Sequence, residues 1–249
     1  MHLSRWGLSM GNTYDLVGKF ALVTGAAKGI GRASAEVLLA NGCHVLIWDA
    51  RKAEVAGAES ALVDITQPAQ IAFAAAALKD NQRVDILVND AGYLGKTTEF
   101  VSHAQSDWQQ IVRVNLLGTM HVTQAILPIM IRQRAGRIIN LGSLAGKEGL
   151  AGITAYSAAS AGVIAFTKAL SREVARYNVF VNCIAPGPID TDMIRGLGSE
   201  VVDRMINDSP LRRLGQAREV AELVAWLCTD ASRFNTGAVF DMSGGRARY

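Results

Sequence analysis

Phe20-Ala-Leu-Val-Thr24-Gly25-Ala-Ala-Lys28-Gly29-Ile30-Gly31-Arg-Ala-Ser-Ala-Glu-Val-Leu38 changes its hydrophobic period in the middle, and that change sets the architecture of the chain. A short apolar run suited to a pleated strand ends at Thr24 and a glycine-rich turn. Beyond the turn Ile30, Ala33, Val37 and Leu38 follow a helical pattern. The stretch therefore reads as a strand, a tight turn and a helix N-terminus. Such a turn aims backbone N–H groups outward at the positive end of a helix dipole, where a pyrophosphate can sit. Its glycines let the backbone approach that group without a Cβ in the way. A βα loop that binds nothing would carry the same glycines, so the turn alone leaves both readings open.

Asp49 favours the nucleotide. It stands eighteen residues after Gly31 and closes a second apolar run, His44-Val-Leu-Ile-Trp48. A carboxylate at the end of a second strand is placed to accept both hydroxyls of an adenosine ribose and would repel a 2′-phosphate. NAD is thereby favoured over NADP, although Lys28 and Arg51 pull the other way. The spacing Thr-Gly-x-x-x-Gly-x-Gly resembles the cofactor turn of the short-chain dehydrogenase/reductase family, and the motifs below extend that resemblance from about Val17 to Gly245. On the resemblance, Gly25, Lys28, Gly29, Ile30, Gly31 and Asp49 would hold the cofactor. The steady alternation of apolar runs and helical patterns agrees with the fold it implies. That fold is a single α/β domain with a doubly wound, Rossmann-type parallel sheet flanked by helices on both faces.

Size and composition permit this and exclude much else. The chain has 249 residues, half of them apolar, with 19% charged residues and a formal charge of +3, so it can bury a large core. The domain is expected over residues 14–249, with 1–13 as an N-terminal extension in which Met10 is an alternative start. The cations are scattered, without a basic stripe interleaved by aromatics, which argues against nucleic acid. Cys43, Cys183 and Cys228 stand singly in apolar surroundings, a pattern of buried thiols in a reducing compartment and not of a disulfide frame. His2, His44, His103 and His121 lack metal-ligand spacing, and no metal is expected. No apolar run reaches the roughly 18 residues that span a bilayer, so the expectation is a soluble, cytoplasmic protein without a membrane partner.

Further along, Ala61-Leu-Val-Asp64 reads as a third strand. Asp64, with Ile65 beside it, resembles the family's contact to adenine, while a plain strand-end cap is the alternative. Pro68 opens a helix to about Leu78. Asp85-Ile-Leu-Val-Asn89-Asp90-Ala91-Gly92 reads as a fourth strand and its turn. It resembles the family's Asn-Asn-Ala-Gly, which implies cofactor contacts at Asn89, Ala91 and Gly92, but the second asparagine is Asp90 here. The change loses an amide donor and adds negative charge near the cofactor. Ser106 is read as the cap of a long helix through Trp108, Ile111, Val112, Asn115, Leu116 and Met120. An asparagine inside a helix is a poor helix former without a task. In the family the matching residue kinks the helix and holds a water of the proton relay; the alternative is a satisfied structural amide.

Ser143 ends a fifth strand, Gly136-Arg-Ile-Ile-Asn140-Leu-Gly-Ser143, at the sheet edge where doubly wound folds bind ligands. Thirteen residues on, Tyr156 lies in a strongly helical stretch. The two hydroxyls could bond one carbonyl or alkoxide oxygen while Tyr156 gives or takes the proton. The alternative is a surface serine and a packed tyrosine. The family's Tyr-x-x-x-Lys implies a lysine four residues later, and this chain has Ser160. A cation within a few ångströms lowers a pKa by about 1–3 units. Without it a tyrosine is ionised about one part in a thousand at pH 7. Ser160 could still bond the nicotinamide ribose. Lys168 is about 120° around the helix and roughly 18 Å away, whereas Lys147 stays open as a substitute.

The sixth strand exits through Pro186-Gly187-Pro188-Ile189-Asp190-Thr191, where Pro186, Gly187, Ile189 and Thr191 match the family's cover over the nicotinamide. About residues 190–211 are expected to form a mobile substrate lid whose Met193, Ile194, Leu197, Val201 and Met205 suggest an apolar lining. The C-terminal region looks most like the 3-oxoacyl-acyl-carrier-protein reductase branch and nearby sugar or polyol dehydrogenases, commonly homotetramers. Two functions follow. One is an NAD(H)-dependent oxidoreductase interconverting a secondary alcohol and a ketone through Asn115, Ser143, Tyr156 and Ser160, weakened at Ser160 by engineering or natural decay. The other is an NAD(H)-binding protein with little turnover.

Overall fold

The computed structural model describes residues 12–78 and 83–249, so all but Asn12 and Thr13 of the expected N-terminal extension lies outside the described residues. Seven parallel strands form the main sheet: β1 (Phe20–Thr24), β2 (His44–Asp49), β3 (Glu59–Leu62), β4 (Ile86–Asn89), β5 (Gly136–Leu141), β6 (Val179–Pro186) and β9 (Val239–Met242). Their order is β3-β2-β1-β4-β5-β6-β9, with β7 (Ile189–Asp190) and β8 (Gly215–Gln216) paired separately. The order reverses between β1 and β4, and the crevice over that reversal is where open α/β sheets bind ligands. Register aligns the strand ends, with Thr24 opposite Asn89 and Asn89 opposite Asn140.

The strands are apolar throughout because helices cover both faces. Ala21, Val23, Ile86 and Val88 turn to one side and pack under α1 (Gly29–Ala40) and α9 (Ala217–Leu227). Leu22, Leu87 and Ile138 turn to the other, under α4 (Thr119–Gln133) and α6 (Thr154–Val174). This is the doubly wound, single-domain fold expected from the alternating pattern.

Boundaries differ for local reasons. β3 ends before Asp64, whose Oδ1 accepts the Thr66 N–H at 2.9 Å and its hydroxyl at 2.8 Å and so closes a turn. The following α2 runs Pro68–Ala76. Ser106 is not a cap: α3 (Gln105–Val112) starts one residue earlier, with Ala104 at the N-cap. A wide π turn, Arg113–Gly118, separates α3 from α4. In the segment 190–211, where helical periodicity weakens, the chain forms α7 (Asp192–Arg195) and α8 (Ser199–Asp208), parted by Gly196 and Gly198. The helical run Gln105–Gln133 is long and apolar enough to cross a membrane. Val122, Ile126 and Met130 on that run are instead fully buried against the sheet.

Candidate active site

A cavity of about 850 Å³ lies along the carboxyl ends of the strands. Of the residues singled out above, Gly25, Lys28, Gly29, Ile30, Asp49, Asp64, Ile65, Ala91, Gly92, Asn115, Ser143, Tyr156, Ser160, Pro186, Gly187, Ile189 and Thr191 all line it. Gly31 and Asn89 do not: both sit behind its wall. A Cβ on Gly31 would stand 2.7 Å from Gly25 O and from Asp90 Oδ2, so its task is to let the turn close on itself. Asn89 is buried and donates to Asn140 Oδ1 at 2.8 Å and Thr123 Oγ1 at 3.1 Å, and Asn140 donates in turn to Thr167 at 2.9 Å. This ladder braces the sheet beneath the site through the amide N–H groups, while Asn89 Oδ1 is buried without a partner among the described residues.

At the turn, Gly25 has φ +73° and its missing Cβ would meet the Ala91 backbone at 2.5 Å. The Thr24 hydroxyl ties the two loops together by accepting the N–H groups of Asp90 at 3.2 Å and Ala91 at 3.3 Å. Lys28, the N-cap of α1, makes no side-chain cap, so nothing of its own covers that helix end. The buried Asp49 uses one oxygen on the Ala27 N–H and the other on the Arg51 N–H, each at 2.9 Å. Each carboxylate oxygen keeps a second lone pair for a hydroxyl from the cavity. A glycine turn, a helix end whose N-cap residue makes no side-chain cap and a carboxylate at the second strand end fit a dinucleotide.

At the other end, Ser143 is the N-cap of α5 (Leu144–Glu148) and its Oγ accepts the Ala145 N–H at 3.1 Å. That bond fixes the oxygen and leaves the hydroxyl proton free to donate. Tyr156, one turn into α6, is half-buried against the cavity. Burial raises its phenol pKa, the Asp90 charge raises it further, and the Ser143 and Ser160 hydroxyls pull it back. Ser160 is buried on the same helix. Lys147 points elsewhere: its Nζ pairs with Asp241 at 3.0 Å beneath the Tyr249 ring. Lys168 does not line the cavity either, and among the described residues Lys28 is the cavity's one lysine.

Asn115 sits in the π turn, and its amide is spent on protein. It donates to Tyr93 O at 2.7 Å and Ile111 O at 2.8 Å, and accepts the Tyr93 N–H at 3.1 Å. The mid-helix asparagine thus holds the loop after β4 while also lining the cavity.

All five apolar residues of the segment 190–211 singled out above, Met193, Ile194, Leu197, Val201 and Met205, line the cavity. At the start of α7, Asp192 reaches Lys28 at 3.6 Å. Sequence reading missed Arg204 and Arg246 on the same wall; Arg246 lies 3.7 Å from Asp208. The one signal was the position of Arg204 between Val201 and Met205 in a weakly patterned segment. Tyr93, Leu94, Leu150 and Ile153 were missed too, because they come from irregular loops.

A family profile described as enoyl-(acyl carrier protein) reductase matches residues 25–247. The chain is 38% identical over 237 residues to a 3-oxoacyl-(acyl-carrier-protein) reductase of Salmonella typhimurium, covering 92% of this chain and 97% of that one. It is 35% identical over 243 residues to 2-dehydro-3-deoxy-L-rhamnonate dehydrogenase (NAD(+)) of a Sphingomonas species, covering 93% and 96%. The ligand-free structure of Thermoplasma acidophilum aldohexose dehydrogenase superposes with a TM-score of 0.90 at 28% identity, over 96% of this chain and 97% of that one.

Proposed function

Because the chain belongs to the short-chain dehydrogenase/reductase family, and is an oxidoreductase of that type, we propose that it interconverts a secondary alcohol and a ketone with NAD(H). The observation that carries this reading is the joint placement of Ser143, Tyr156 and Ser160 in one cavity with the glycine turn and Asp49. A bound nicotinamide dinucleotide supplies the hydride donor or acceptor. Gly25, Gly29 and the open end of α1 receive its phosphates, and Asp49 receives the adenosine ribose. Ser143 donates a hydrogen bond to the reacting oxygen. Tyr156 delivers a proton to that oxygen on ketone reduction and removes it on alcohol oxidation. Ser160 bonds the nicotinamide ribose without adding charge, and Asn115 shapes the π turn beside the relay.

The preference for NAD(H) rests on Asp49, and the Sphingomonas relative named for NAD(+) agrees with it. NADP(H) is the second reading, because Lys28 and Arg51 also line the cavity. An apolar wall with Arg204 and Arg246 favours an oxo compound with an apolar body and an anionic group. Residues 190–211 act as the lid of the domain at 14–249. We further infer a homotetramer in the cytoplasm. Leu117 and Met120 lie exposed on the π turn and α4, as an interface would need, and the cysteines are free thiols.

The test is turnover with NADH and NADPH on a panel of oxoacyl thioesters, oxo acids and small ketones. Tyr156→Phe is expected to lower it by about 10²–10⁴-fold while leaving NADH binding in place. Activity indifferent to that change rejects the tyrosine chemistry. NADH binding without turnover on any substrate would favour the cofactor-binding reading.

A further inference from the structure

Asp49, Asp64 and Asp90 place three carboxyl groups along the part of the cavity assigned to the dinucleotide. The first two are occupied by the backbone and hydroxyl donors already described. Asp90 has no salt-bridge partner among the described residues. Its Oδ2 lies 2.7 Å from where a Cβ of Gly31 would stand, inside the first turn of α1. A carboxylate there competes with a phosphate for the same backbone donors and the same helix dipole. Lys28, the cation nearest this turn in sequence, is drawn toward Asp192 on the lid.

Resting on the dinucleotide reading of the cavity, we propose that Asp90 is a cofactor-binding residue that works as a neutral acid, so that entry of the pyrophosphate is coupled to uptake of one proton from solvent. One O–H bond forms on Asp90 and none other changes. In that form the group repels no phosphate and has a hydrogen to donate to a phosphate oxygen. Its open side faces the cavity, so a bound ligand would seal it from water and further disfavour the charge.

The groups that face Asp90 act in both directions, with burial the largest. Burial already pushes its carboxyl well above the usual carboxylate range, the Gly31 N–H pulls it back, and the Asp49 charge from β2 pushes it up again. Tyr156 on α6 feels the Asp90 charge in the same sense. Lys28 is the opposing cation of the turn. By linkage, a group whose pKa is raised by the ligand weakens binding as pH rises through its free-state pKa.

The experiment is titration of the protein with NADH from pH 6 to pH 9, with calorimetry at fixed pH in two buffers of different ionisation enthalpy. Wild-type protein is expected to take up as much as one proton per NADH, with Kd weakening by up to about tenfold per pH unit within the window. Asp90→Asn is expected to take up none and to bind NADH more tightly at high pH with little pH dependence. Binding of NADH by wild type without proton uptake overturns the inference with no variant needed, as does uptake that persists in Asp90→Asn. Failure of both proteins to bind either NADH or NADPH overturns the dinucleotide reading itself.

Discussion

At the scale of single residues, the proposed chemistry turns on the potential around the Tyr156 phenol. Burial is the largest cause holding its pKa above the ordinary tyrosine value, the Asp90 charge adds to it in the free protein, and the Ser143 and Ser160 hydroxyls oppose both. Alcohol oxidation needs the phenolate. Below the raised pKa each pH unit multiplies that form tenfold, so the oxidation rate is expected to climb across the whole range to pH 10 without a plateau. Ketone reduction uses the neutral phenol and is expected to stay flat over that range. Ser160→Lys, which brings a cation onto the same helix face, should move the oxidation profile down by about 1–3 pH units. Paired pH–rate profiles of the two proteins check this; superimposable profiles would mean that no charge from position 160 reaches the phenol. That Tyr156 and Ser143 would meet in one cavity was legible because residue type and spacing set both at the carboxyl edge of the sheet. Asp90 was legible only as a departure from a pattern, since its effect depends on a helix end that folding brings against it.

At the scale of elements, the β1–α1 turn carries the strictest geometry. Gly25 holds φ +73°, and a Cβ there would stand 2.5 Å from the Ala91 backbone, which cannot rotate away as a side chain could. Gly25→Ala is expected to destabilise the fold by about 2 kcal/mol or more from the positive φ and the clash together. It should also weaken NADH binding, because the loops joined through Thr24 must separate. A thermal melt and a binding titration check both, and an unchanged midpoint would show that the two loops part freely. This turn could be read from sequence because its glycines and its change of period are local signals. The π turn at 113–118 could not, since one extra residue per turn leaves the apolar positions almost where a continuous helix would put them. Helix α8 was hidden for the opposite reason: ten residues between glycines and a proline give too few turns to establish a period.

At the scale of the molecule, the alternation of apolar runs with helical patterns foretold a parallel sheet covered on both sides. The order of its strands depends on crossovers that no local pattern records. The same two-sided burial decides the behaviour of the three cysteines. Cys43, Cys183 and Cys228 are free and buried. Burial pushes the thiols of Cys43 and Cys183 up to about 12 and raises that of Cys228 as well. Thiol reagents attack the thiolate. At pH 8 a thiol titrating near 12 is ionised roughly one part in 10⁴, against about a quarter for an ordinary cysteine. The folded protein is therefore expected to leave all three unmodified by a colorimetric disulfide reagent over an hour at pH 8, and to release three equivalents once unfolded in guanidinium. The appearance of those equivalents should follow global unfolding, because Cys183 is fully buried in β6, which is paired on both sides by β5 and β9. A thiol that reacts within seconds in the native protein would place its segment outside the cooperative core described here.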